Sequence, residues 1–117
     1  MKEFMLIFRG ADEGAKNFSP EQMQAQLAKW GEWLGGLAAQ GKLTGGQQLL
    51  PVGKVVSGTA KKVTDGPFAE GKELMGGYVT VKADSEAEVL QYASTCPALV
   101  FEEGSVEVRE ILQAQID

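Results

Sequence analysis

Asp65 opens the run Asp65-Gly66-Pro67-Phe68-Ala69-Glu70-Gly71-Lys72-Glu73, which gathers three carboxylates and an amine into nine residues. Its carboxylate has two readings. Asp tolerates unusual backbone angles, Gly supplies a positive φ and Pro fixes the next φ, so Asp65-Gly66-Pro67 reads as a turn, with Phe68 as its anchor in the core. Alternatively, Asp65 stands at the mouth of a cleft between sheet and helix. A partly buried carboxylate there gains a raised pKa and serves as an acid or base. Glu70 could share that proton work and Lys72 could bind an anionic substrate. As a solvated loop the same charges form surface ion pairs of little worth.

A second cluster comes from residues far apart in the chain. Glu107 and Arg109 alternate with Val106 and Val108 in a strand-like run, and Arg9 ends the apolar run Phe4–Phe8. If the valines face a helical layer, Glu107 and Arg109 face away from it. With Arg9 they form either a salt bridge or a small polar pocket. An Arg in such a pocket suits a carboxylate or phenolate ligand.

What is missing bounds the chemistry as firmly. The 117 residues include no His and a single Cys, Cys96. A Ser-His-Asp or Cys-His system therefore cannot form, nor can the usual zinc sets or an intrachain disulfide. Cys96 precedes Pro97 at a helix end and reads as a small buried hydrophobe. Gly36-Leu37-Ala38-Ala39-Gln40-Gly41-Lys42 matches most of a phosphate-binding loop. It ends a helix rather than starting one, and Leu43 replaces the required Ser or Thr. A net charge of −5 argues against nucleic acid, whose binding depends on Lys and Arg neutralising phosphates. No stretch approaches the ~20 apolar residues of a membrane span, and no signal-peptide pattern is visible, so a cytoplasmic protein is expected.

Positioning these groups falls to a short series of elements. Glu3–Phe8 reads as a strand apolar on both faces. Ser19 caps a helix, with Pro20 at its first position and Gln22 completing a capping box. Met23, Leu27, Trp30, Leu34 and Leu37 draw one apolar helical face, with Trp33 flanking it, and Gly41 stops the helix. Leu43–Leu50 reads as a strand with an irregularity at Gly45-Gly46. A turn-rich stretch, Pro51–Ala60, holds a short extended piece at Val55-Val56, and Lys61–Thr64 leads as a strand into the Asp65 turn. Tyr78–Val81 forms another strand. Asp84-Ser85-Glu86 starts a second helix carrying Ala87, Leu90 and Ala93 and ending near Thr95, and Ser105–Ile111 is the last strand. With no repeat or linker, residues 1–117 form one domain. The order β-α-β-β-α-β predicts a ferredoxin-like α+β sandwich, helices on one face of an antiparallel sheet. The second, apolar sheet face then calls for a cover, and a second copy related by a two-fold axis is the simplest.

The Asp65-Gly66-Pro67-Phe68 run, with Gly76-Gly77-Tyr78 after it, resembles the signature of the YCII-related family, in its DGPF-domain branch. The resemblance spans nearly the whole chain and implies a dimeric α+β barrel. The wider family is thought to pair an acidic residue with a histidine, a dyad this His-free chain cannot form. Two functions stay open. One is a cofactor-independent enzyme on a small anionic, aromatic or lactone-like compound. Asp65 would be its acid or base, and Arg9, Phe68, Glu70, Lys72 and Arg109 would bind the substrate, with no metal. The other is a non-catalytic homodimer that binds a small molecule or a regulatory partner.

Overall fold

The structure, a computed structural model, describes residues 1–66 and 73–113. Its elements are β1 (Lys2–Arg9), α1 (Ala11–Ala15), α2 (Pro20–Ala39), β2 (Leu43–Gln48), β3 (Gly53–Ser57), β4 (Lys62–Gly66), β5 (Met75–Ala83), α3 (Glu86–Ser94), a 3-10 turn (Pro97–Val100) and β6 (Ser105–Glu110). Four strands form an antiparallel sheet in the order β2-β5-β1-β6, and β3 pairs with β4 as a separate ribbon. Strand order and helix placement are those of a ferredoxin-like α+β fold.

Alternation along β1 sorts the sheet into two faces. Phe4, Leu6 and Phe8 pair with Val81, Val79 and Gly77 of β5, and Leu6 and Phe8 pair with Val108 and Val106 of β6. These side chains form the core with Leu37 of α2 and Val89 and Ala93 of α3. Met5, Ile7 and Arg9 point the other way, beside Thr80, Tyr78, Glu107 and Arg109. No described helix covers that face. The molecule measures only 19 Å through its thinnest direction, two layers rather than three. Its radius of gyration is 16.0 Å, against about 13.5 Å for a compact chain of this length.

Local signals act as expected at the helix ends. Ser19 and Gln22 exchange hydrogen bonds in a full capping box, at 2.9 and 3.1 Å. Gly41 takes a left-handed φ of +71° just past α2. Ser85 caps α3 by accepting from the Glu88 N–H.

Three expectations need correction. Asp65 and Gly66 are not a turn: they lie in β4, paired with Lys54 and Gly53, and the chain reverses instead around Gly58, at φ +72°. Leu90 leaves the core and is 51% exposed, because α3 turns its Val89–Ala93 pair inward. Leu27 is 56% exposed and Met23 also reaches solvent. Only the C-terminal half of α2 packs closely on the sheet, and the apolar stripe continues past that contact. The polar loop after β1 also holds a short helix, α1, that its composition did not announce.

Candidate functional site

Between the middle of α2 and the sheet a cleft of about 500 Å³ opens. That size is typical of small-molecule sites, roughly 300–1,000 Å³. Leu27, Trp30 and Leu34 of α2 form one wall, and Phe8, Leu43 and Val79 of the sheet the other. Trp30 meets Phe8 edge-on with centroids 4.9 Å apart, and Trp33 closes the triangle at 5.9 Å from Phe8 and 5.7 Å from Trp30. Edge-to-face stacking of this kind joins the two walls in a packed aromatic cluster. Trp33 is tied further by its indole N–H, which donates to the Tyr92 carbonyl at 3.1 Å and to Thr95 Oγ1 at 3.2 Å.

The floor is largely backbone, with Gln47 and Gln48 at its edge. Gly45, Gly46, Gly76 and Gly77 line the cleft where β2 meets β5. Gly77 cannot carry a side chain there, since a Cβ would sit 2.7 Å from the Gln47 carbonyl oxygen. Gly76 is the extra residue of a bulge: Phe8 pairs with Gly77 but Arg9 pairs with Met75.

Asp12 is the charged group of this site, the one acidic or basic residue among the described lining residues. Gly10, in a left-handed φ of +81°, turns the chain out of β1 and into α1, and its N–H donates to the Leu74 carbonyl at 3.3 Å. The turn carries Asp12 over the bulge, so close that a Cβ on Gly76 would lie 3.3 Å from Asp12 Oδ2. Neighbouring Glu13 is ion-paired with Lys16 at 2.5 Å, whereas Asp12 makes no ion pair or hydrogen bond with another described residue. The sequence reading passed over Asp12. Its only signal was a carboxylate two residues beyond a Gly at the end of a buried strand.

The residues singled out from sequence lie elsewhere. Arg9 and Arg109 do come together, on the sheet face without helices: Arg9 Nη1 donates to Glu107 Oε1 at 2.5 Å and Arg109 Nε lies 4.0 Å from Glu107 Oε2. Asp65 sits on the ribbon, ion-paired with Lys54 and 88% exposed at its side chain. Neither Asp65, Arg9 nor Arg109 lines the cleft. Phe68, Glu70 and Lys72 fall outside the described residues.

Other reactive groups are occupied structurally. Burial pushes the Cys96 thiol up to about 11. Burial and then its hydrogen bond to Glu88 push the Tyr92 phenol up to about 12. That bond, with the Asp84 N–H, holds the Glu88 carboxyl below its usual range. Among the described residues there is no cluster of metal-ligating side chains, and no helix long and apolar enough to cross a membrane.

A two-layer ferredoxin-like sandwich with an aromatic-walled cleft between its layers defines the class of this protein. The chain belongs to the YCII-related domain family, whose sequence model matches residues 3–115. Among solved structures it is similar to 5-chloro-2-hydroxyhydroquinone dehydrochlorinase from Burkholderia phenoliruptrix, determined with 2,5-dihydroxybenzoquinone. The two share 21% identity over 95% of each chain with a TM-score of 0.50, a likeness of fold. No curated protein sequence matches.

Proposed function

We propose that the protein is a cytoplasmic homodimeric enzyme that acts, with its own side chains and no cofactor, on a small planar aromatic or lactone-like compound. The observation that carries this reading is the cleft itself. Its size, the apolar walls that meet at the Phe8–Trp30 contact and its polar backbone floor suit a flat ring held on edge. The similar fold of a dehydrochlorinase that binds a dihydroxybenzoquinone supports the ligand class by analogy alone.

Asp65 enters as the acid or base. In its favour stands the Asp65-Gly66-Pro67-Phe68 run, which carries the resemblance to the family. Against it stand its exposure, its ion pair with Lys54 and its place outside the cleft. Dimerisation is supported by the helix-free sheet face, where Met5 and Tyr78 are part-exposed, and by the expanded shape of the single chain. A direct test is turnover of quinones, halogenated hydroxyaromatics and lactones, followed by absorbance, with wild type and Asp65→Asn. Loss of a general acid or base costs ~100-fold or more in rate. Turnover that survives in Asp65→Asn removes that residue from the mechanism.

The absence of His from the whole chain favours a second reading. In it the cleft binds a small molecule without changing it and the dimer acts as a sensor. A ligand recovered intact after prolonged incubation with saturating protein supports the sensor, and product formation excludes it.

A further inference from the structure

We infer that Asp12 is the ligand-contacting carboxylate of the cleft, and that it selects rings bearing a neutral hydroxyl group over rings bearing a carboxylate. The inference rests on the reading that the cleft takes a ring. It goes beyond that reading in naming the contact and the sign of the ligand, and it departs from the anionic ligand that Arg9 and Arg109 suggested.

Three observations carry it. The walls are apolar and aromatic, so they bind a ring but do not orient it. The floor offers peptide groups and, at its edge, the uncharged amides Gln47 and Gln48, whose pull on a ligand is shared by any polar substituent. Asp12 is then the one described lining residue with a formal charge. The two arginines lie on the opposite face of the sheet and share Glu107. Lys16, the next basic residue after Asp12 in the chain, is held by Glu13.

Geometry fixes where that carboxylate can act. The Gly10 turn and the Gly76 bulge bring Asp12 over the end of the sheet, and the missing Cβ at Gly76 leaves Oδ2 its place. An ionised carboxylate only accepts hydrogen bonds. A ring hydroxyl can donate to it, whereas a ring carboxylate is repelled. A hydrogen bond to a charged group changes affinity by roughly 10- to 100-fold.

The test uses phenol and benzoate, matched in ring size, with binding read from tryptophan emission. Trp30 lines the cleft and Trp33 stacks on it, and they are the only two tryptophans. Wild type is expected to bind phenol at least ~10-fold more tightly than benzoate. Asp12→Asn should weaken phenol and strengthen benzoate, closing the gap, while Asp12→Glu keeps the preference for phenol. Circular dichroism establishes that each variant is folded. Binding of both rings with a ratio that Asp12→Asn leaves unmoved overturns the inference alone. Emission that responds to neither ring overturns the cleft reading and the inference with it.

Discussion

Lys54 and Asp65 stand directly opposite each other in the β3–β4 ribbon, ammonium against carboxylate, with the Asp65 side chain 88% exposed. A residue singled out as a turn-former or a buried acid is thus half of a surface cross-strand pair. Such pairs contribute little to stability because solvent and salt screen them.

Asp65→Asn is therefore expected to change folding stability by no more than about 0.5 kcal/mol. Urea denaturation of wild type and variant checks this. A loss of several times that amount would show that Asp65 anchors structure, and any activity defect would then need separating from unfolding.

Two glycine-to-alanine changes should act in opposite directions. Gly77→Ala drives a Cβ to 2.7 Å from the Gln47 carbonyl oxygen and 3.2 Å from Gln48 Cα, both backbone atoms that cannot step aside. It should cost about 1–3 kcal/mol, as overpacking usually does. Gly35→Ala puts a methyl group into open space on exposed α2. It should raise stability by up to about 1 kcal/mol through helix propensity. Thermal melts of the two variants distinguish the cases. A Gly35→Ala protein less stable than wild type would mean that this helix surface packs against something else in solution.

The open face of the sheet makes a prediction about mass. Met5 lies near its centre, opposite Thr80 and Arg109. Sedimentation equilibrium should return twice the 12.5 kDa of one chain for wild type, and about one chain for Met5→Lys with its circular dichroism intact. A wild type that sediments as a single chain at tens of micromolar would sink the sheet-face dimer.

Stability should fall at alkaline pH for a stated reason. Folding raises the Tyr92 phenol from an ordinary 10.0 to about 12 and the Cys96 thiol from 9.0 to about 11. Both groups are neutral in the folded protein and ionise more readily once unfolded. Their contribution is complete below about pH 9 and is lost as pH rises through 11 to 12. Glu88 has the opposite sign. Its folded pKa is lowered, first by Tyr92, so its contribution is present at neutral pH and lost as pH falls through the folded value. Tyr92→Phe removes the phenol and weakens the hold on Glu88. Its melting temperature should depend less on pH than that of wild type above pH 10 and below pH 4.5, a comparison that melts across the pH range supply.

The parts of the fold legible in the sequence are those set by near neighbours. Ser19, Pro20 and Gln22 mark a helix start because a cap needs only the next three residues, and Gly41 marks its end for the same reason. Val106 and Val108 could be assigned inward, and Glu107 and Arg109 outward, because a strand alternates with a period of two. Asp65 was misread as a turn because Asp-Gly-Pro suits one locally. The pairing of Gly66 with Gly53, 13 residues away, decided otherwise. Leu27 was misread as core because the stripe on α2 shows which side is apolar, not how far the sheet reaches beneath it.

Alternation, caps and stops in the sequence alone determined the β-α-β-β-α-β order and the apolar second face of β1. Only the tertiary structure decided that α2 and the sheet leave a cleft between them beside Leu27 and Trp30. It also decided that the carboxylate reaching the resulting cleft is Asp12 rather than Asp65. The cleft joins residues near positions 8, 12, 30, 46 and 76. Their meeting depends on a bulge at Gly76, a left-handed Gly10 and the packing angle of one helix. No periodicity along the chain encodes that angle, because it is set by how side chains distant in sequence fit together.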